Sequence, residues 1–373
     1  MFLVAALAAV ACTPGASPST TANRATSPSA SEVESEGQGR QPVIVDYSPT
    51  VSDVGALLYL LSHPDVDVLA VTLPVTGEAG CELGVEVTFG ILALLGRAEV
   101  PVACDSEPAL GAGEWPAAFL TGHESLGFGL PDVSGVGADP RPAHQLIADV
   151  AAASDQPVTL YAVAPLTNVA RALDLHPNVA DQLDRVVIMG GAVDARGNVG
   201  VDAPVPLGVT DAEWNFWIDV PAAARVLGSG AQIALVPLDA TNHVPVPAFW
   251  LLDLQEAEQS EAVKYLGSLV RIFPAVTSGF FYLWDELAAS VAAGENLVTT
   301  EPINLVVVEE PGPMYGSTVR DPSGARVLVA TAVPDPAAFY AHFLTTLSGA
   351  PVKVRARLLF DEASAPGSVT ASS

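Results

Sequence analysis

Polar and charged residues stand at the ends of several apolar runs in this chain, and their types suit an oxygen-rich binding site. After PVIVDYS the chain continues through Asp46, Ser48, Thr50, Ser52 and Asp53. A run ending near Ala164 is followed by Pro-Leu-Thr-Asn168, and RVVIMGG leads into Gly190, Gly191 and then Asn198. Asp211-Ala-Glu213-Trp-Asn215 opens a later segment, and Phe281-Tyr-Leu-Trp284-Asp285 opens another. Asp46, Asp53 and Asp285, with Glu213 as a fourth carboxylate, are able to converge on one rim. A hard cation such as Ca²⁺ takes oxygen donors of this kind. A plainer reading competes at each position: Asp53 and Asp285 as helix caps, and Asn168 as a turn residue.

Those residues need a scaffold that brings run-ends together. PVIVDYS (42–48), VDVLAVTL (66–73), VPVAC (100–104), PVTLYAVA (157–164), RVVIMGG (185–191) and AQIALVPL (231–238) read as nearly continuous apolar strands. Helical spacing of apolar residues runs from Asp53 to His63, and a second helix-like run extends through Leu95. Buried strands alternating with helices predict an α/β fold, with a mostly parallel central sheet covered by helices on both faces. In open sheets of this kind ligands bind beyond the carboxyl ends of the strands, where the polar residues above fall. INLVVVEE and ARVLVATAV, after residue 300, predict further strands. With no second linker and no repeat, one domain is expected over about 41–362.

The chain has 373 residues, with 42 acidic against 15 basic, a formal charge of −27, and half of it is hydrophobic. That supports a sizeable core and excludes a wholly disordered chain. Lys264 and Lys353 are the only lysines. A nucleic-acid partner is therefore not expected, because neutralising phosphates needs a basic face. No apolar run reaches the length of a bilayer span.

The first eleven residues, MFLVAALAAVA, have the size of a signal-peptide apolar region, and Cys12 follows at once. Residues 1–12 resemble the end of a bacterial lipoprotein signal, in which the cysteine is cleaved and acylated. An ordinary secretory leader with a passing cysteine is the alternative. Residues 13–40 are almost all Pro, Ser, Thr, Ala, Gly and Glu, a composition that cannot bury a core. As a flexible tether they would reach roughly 30 Å. An exported, lipid-anchored, extracytoplasmic location is the expectation. It makes Cys81 and Cys104 a candidate disulfide, with two separate buried thiols as the alternative. Residues 363–373, rich in Ser, Ala, Gly and Thr, are expected to be a disordered tail.

The order of motifs along the chain resembles the nucleoside hydrolase family, calcium-dependent enzymes that cleave the N-glycosidic bond of ribonucleosides. DVGALLYLLSHPDVDVLAVTL, LYAVAPLTNVARAL, VVIMGGAV, DAEWNFWIDVPAAARVL, IALVPLDATN and WDELAA carry the likeness in sequence order. The loop from His123 through Gly127 to Gly129 keeps a family-like His…Gly-x-Gly spacing. The resemblance implies a nucleoside-hydrolase-like, Rossmann-related fold and a small-molecule nucleoside or sugar as partner. It leaves homo-oligomerisation open. By position it implies Ca²⁺ held by Asp53, Asp285 and the backbone carbonyl of Val163. It places Asn198, Glu213 and Asn215 on the ribose hydroxyls, Met189 under the sugar and His123 among the substrate-binding residues. It also puts Trp284 in a slot that is tryptophan in purine-preferring members.

One departure bears on the chemistry. The family signature D-x-D-P-G-x-D-D reads DYSPTVSD here. Ser48 stands where the family has the aspartate that ligates calcium and takes the proton of the attacking water. Ser52 stands where a carboxylate holds ribose hydroxyls, and a family asparagine after the second strand falls at Gly77 or Glu78. Serine offers a cation a neutral oxygen but cannot serve as a base near neutral pH, and losing a general base typically costs about 10²–10⁴ in rate. Two readings follow. One is a divergent purine-leaning nucleoside hydrolase in which another group, such as Asp46, supports the water. The other is a non-catalytic lipoprotein that binds a nucleoside or sugar.

Overall fold

The computed structural model describes residues 39–355, apart from 106, 112, 117–118, 200–210 and 259. The expected signal with Cys12, the tether up to residue 38 and the tail from 363 lie outside the described residues. Among the described residues nine strands form one sheet: β1 (Gln41–Asp46), β2 (Val66–Leu73), β3 (Val102–Cys104), β4 (Val158–Ala162), β5 (Leu183–Met189), β6 (Ile233–Val236), β7 (Thr299–Val307), β8 (Thr318–Arg320) and β9 (Ala325–Ala332). Their order across the sheet is β3-β2-β1-β4-β5-β6-β9-β7-β8. β1 to β6 and β9 pair in parallel, whereas β7 runs antiparallel to both β8 and β9.

The apolar runs are continuous because both faces of the sheet are buried. On β1, Val43 and Val45 belong to one core and Ile44 to the other; on β5, Val187 and Met189 oppose Val186 and Ile188 in the same way. Side chains alternate along a strand, so a two-sided core leaves no position for a polar residue until the strand ends. The predicted parallel α/β sheet is what forms. β7 and β9 fall on the two strand runs expected after residue 300, whereas the three-residue β8 beside β7 was not expected. Among the described residues no helix is long and apolar enough to cross a membrane.

β1 lies between β2 and β4, so the chain winds outward in opposite directions from it. That point of reversal is where an open sheet leaves a crevice beyond its carboxyl edge. Asp46 ends β1 and Val163 follows β4; their backbones join through the Val163 N–H to the Asp46 carbonyl at 2.9 Å. Next to this edge, Cys81 in the first turn of helix Gly80–Leu94 forms a disulfide with Cys104 at the end of β3, with Cα atoms 5.7 Å apart.

Candidate active site

A cleft of about 400 Å³ opens at that reversal point, lined by residues from the ends of β1, β4 and β5 and from two later helix starts. The volume falls within the range of small-molecule sites. Ser48, Ser52, Asp53, Val163, Asn198 and Glu213 all face it, as do Met189, Asn215, Trp284 and Asp285. Ten residues scattered over 238 positions of sequence are therefore gathered at one place.

Each side chain is held by local structure. Helix Val51–Ser62 begins after Thr50, and Asp53 in its first turn accepts the Ser48 N–H at 3.1 Å and the Thr50 hydroxyl at 2.5 Å. Asp53 thus ties the segment before its helix to the first turn, from inside the helix rather than from the cap, which is Thr50, and it also faces the cleft. Burial raises its carboxyl pKa; the Thr50 hydrogen bond opposes that, and the Glu78 charge reinforces it. Asp285 sits in the first turn of helix Trp284–Ala292, two residues past the cap, which is Leu283, and so does not cap the helix. Its carboxyl lies well above the ordinary range, through burial first and then the Asp53 charge. Glu213 caps helix Trp214–Ile218 and accepts the N–H groups of Gly191 (2.9 Å), Asn215 (3.0 Å) and Phe216 (3.2 Å). Burial still pushes it up to about 7, outweighing those bonds. The glycine pair before it is required, since a Cβ at Gly190 would lie 2.5 Å from the Phe216 ring and 3.3 Å from the Glu213 carboxylate.

Several expected residues take other posts. Asp46 does not line the cleft: it is fully buried, and one carboxylate oxygen accepts from Asn168 Nδ2 and from the Thr72 hydroxyl, each at 2.7 Å. It stitches β1 to β2 and to the first turn of helix Thr167–Leu175 after β4, which makes it a supporting group for the rim; burial lifts it to about 7. Asn168 is thus more than a turn residue. His123 stands behind the cleft, its Nε2 2.5 Å from the Phe119 carbonyl and 3.6 Å from a Glu78 oxygen. Asn198 accepts the Trp214 N–H at 3.2 Å. The Val163 carbonyl receives Asn215 Nδ2 at 3.2 Å, and the same amide reaches the Met189 carbonyl at 3.3 Å.

Two carboxylates, and an aromatic wall apart from Trp284, were not anticipated. Glu78, from the loop after β2, lines the cleft; burial, and then the Asp285 charge, lifts its carboxyl to about 8. Glu286 is buried behind Ser52 and accepts its hydroxyl at 2.8 Å. A Cβ on Gly55 would fall 2.4 Å from a Glu286 oxygen, so a larger residue there would have to displace that carboxylate. Trp115 stacks on Trp214 with ring centres 5.4 Å apart, Phe119 meets Trp214 edge-on at 5.2 Å, and Trp284 packs against Phe281 at 5.0 Å. Trp115, Phe119, Trp214, Phe281 and Trp284 all face the cleft. The site therefore combines carboxylate and amide groups with flat apolar surface, and no Lys or Arg is among its described lining residues.

Such a site suits a ligand with a polyhydroxyl part and a planar ring. Residues 43–341 match the inosine-uridine preferring nucleoside hydrolase family. The chain belongs to that family. It is 31% identical over 292 residues to the non-specific ribonucleoside hydrolase RihC of Klebsiella pneumoniae, covering 76% of this chain and 90% of that relative. With the pyrimidine-specific ribonucleoside hydrolase RihA of Photobacterium profundum it shares 32% identity over 55% of its own length, and it spans only 63% of that relative. The crystal structure of the inosine-uridine preferring nucleoside hydrolase from Bacillus anthracis superposes with a TM-score of 0.73 at 26% identity, covering 83% of this chain and 99% of that one. The purine-preferring ribonucleoside hydrolase from Gardnerella vaginalis gives 0.71 at 28%, covering 83% and 98%. Family membership connects the cleft with ribonucleosides and their hydrolysis.

The donors in this nucleoside-hydrolase cleft suit a divalent cation by chemistry, since Asp53, Asp285, Glu78 and the Val163 carbonyl are all oxygen and the charges repel one another without a cation. Asp53, Asp285 and Glu78 do not bring three carboxylate oxygens within 4.8 Å of one another. Among the described residues the only His, Cys, Asp or Glu trio with ligand atoms within 4.8 Å of one another lies elsewhere, at His63, Glu295 and His342. There Tyr59 bonds His342 Nε2 at 2.8 Å and the Asp65 N–H reaches His63 Nδ1 at 3.3 Å, so both rings already serve a hydrogen-bonded network between helix ends.

Proposed function

We propose that this chain hydrolyses the N-glycosidic bond of ribonucleosides, releasing free base and ribose, with a leaning toward purines. The observation that carries this reading is one cleft holding both a carboxylate-lined floor and an aromatic wall, placed at the sheet's reversal point. Asn198, Glu213 and Asn215 would bind the ribose hydroxyls, with Ser52 adding a neutral contact and Met189 beneath the sugar. Trp284, backed by Phe281, offers a face for the base; stacking of this kind contributes about 1–3 kcal/mol per base in single-strand binding proteins. A large ring gains more from such a wall than a small one, which supports the purine leaning. Asp53, Asp285 and the Val163 carbonyl are the residues assigned to Ca²⁺, which when bound would acidify a water and hold sugar oxygens. His123 acts from behind, through Glu78.

Purified protein incubated with inosine, adenosine and uridine in the presence of Ca²⁺ should release free base, fastest from a purine nucleoside. No base from any of them, together with calorimetric binding of a nucleoside, would convert the reading to a binding module. Faster release from uridine would overturn the purine leaning alone.

We further propose that the domain is exported and tethered through an acylated Cys12, on the grounds of the leader and the Ser/Pro/Thr-rich stretch after it. Mass spectrometry of the N-terminus from native membranes should find diacylglycerol on Cys12. A mature chain that begins elsewhere would rule the anchor out.

A further inference from the structure

Attack of water on a nucleoside requires a group that accepts the water's proton, and position 48, a serine, cannot provide it near neutral pH. The carboxylates around the cleft differ in how far their oxygens are already committed. Asp53 is bonded by Ser48 and Thr50, Glu213 by three backbone N–H groups, Glu286 by Ser52 and Asp46 by Asn168 and Thr72. Asp285 has Ser52 beside its carboxyl, the Ser52 hydroxyl also accepting its backbone N–H at 3.3 Å, and it is one of the residues assigned above to the cation. Glu78 is different. Among the described residues no hydrogen bond reaches its carboxylate, and one of its oxygens stands 3.6 Å from His123 Nε2. It nevertheless lines the cleft with its side chain only 18% exposed.

The backbone explains its position. The Glu78 N–H donates to the Ser48 hydroxyl at 3.4 Å, and a Cβ on Gly77 would lie 2.5 Å from Ser48 Cβ. Glycine at 77 lets the loop after β2 press directly onto position 48, and the longer Glu78 side chain then enters the space beside Asp53. Ser48 thus acts as an anchor for a carboxylate delivered by a neighbouring loop.

We propose that Glu78 takes the proton from the attacking water, replacing in space the acid that position 48 lacks; this rests on the hydrolase reading above. The water oxygen bonds to the anomeric carbon, and the bond from that carbon to the base nitrogen breaks with its electron pair leaving on the base. One water proton passes to the Glu78 carboxylate, and the departing base takes up a proton from solvent. His123 is a positioning residue that faces Glu78 from behind.

The test compares wild type, Glu78→Gln, Ser48→Asp and the double variant Ser48→Asp/Glu78→Gln, measuring kcat on inosine and adenosine and nucleoside affinity by calorimetry. Glu78→Gln should lower kcat by about 10²–10⁴-fold with affinity changed no more than about threefold, and adding Ser48→Asp should recover at least about tenfold of the loss. Glu78→Gln with near-wild-type kcat would overturn the proposal. So would a loss that affinity shares, or one that Ser48→Asp fails to repair, since either marks a structural role. Wild type inactive on every nucleoside would instead remove the hydrolase reading, a separate outcome.

Discussion

Asp285→Asn is expected to lower nucleoside hydrolysis by about 10³-fold or more while making the cation-free protein more stable. The two effects have one cause. Asp285 is buried, and its carboxyl is driven far up by that burial and by the charge on Asp53. A carboxyl whose folded pKa exceeds its unfolded value favours the fold only while protonated. The benefit is full below the unfolded value near pH 4 and is lost as pH rises toward the folded value, at up to about 1.4 kcal/mol per pH unit for each group. Glu213, at about 7, and Glu78, at about 8, add to the same trend. In chelator, wild-type Tm should therefore fall between pH 5 and pH 8. Asn keeps an oxygen acceptor and removes the ionisation, so at pH 8 in chelator the variant should melt above wild type. Added Ca²⁺ should raise the wild-type Tm and leave that of the variant nearly unchanged, because only a state that binds the ion is stabilised by it. A variant that keeps activity within tenfold, or that melts below wild type in chelator at pH 8, would refute this account of the acidic floor.

This balance also shows what a single chain of letters discloses. Strands β1, β2, β4, β5 and β6 were legible because each is apolar on both faces, and the residues just past them were legible because polarity resumes there. Asn198, Glu213, Asn215, Trp284 and Asp285 emerged from that rule together with the family likeness. Asp46 obeys the same rule and yet turns away from the cleft, since a strand's last residue points to either face according to register. Glu78 and Glu286 were not legible. Glu78 meets Ser48 across 30 residues and Glu286 meets Ser52 across 234, and neither approach has a periodic trace. Trp115 and Phe119 lie in a loop with no pattern at all, and they gain meaning only from their contact with Trp214. The two serines of DYSPTVSD signal lost acid in the sequence. In space an acid stands beside each of them, supplied by another segment.

Glu213 shows the opposite arrangement, where scaffold and site depend on the same two oxygens. Glu213→Ala should destabilise the protein by at least about 3 kcal/mol, because three N–H groups, two of them the cap of the helix at Trp214, lose their acceptor at about 1–3 kcal/mol each. Nothing can fill the gap from the strand side, where Gly190 has no side chain and Phe216 already closes the space. Glu213→Gln retains one carbonyl oxygen for those donors but turns an NH₂ group toward them, so the loss should be smaller, about 1–2 kcal/mol. Binding separates the roles. A charged acceptor bonds hydroxyls about twice as strongly as a neutral one, so Glu213→Gln should weaken nucleoside affinity at least about tenfold at temperatures where it remains folded. Thermal melts and calorimetry on both variants decide the matter. Unchanged affinity in Glu213→Gln would leave Glu213 as a helix cap alone, and an unchanged Tm in Glu213→Ala would mean those N–H groups find other partners.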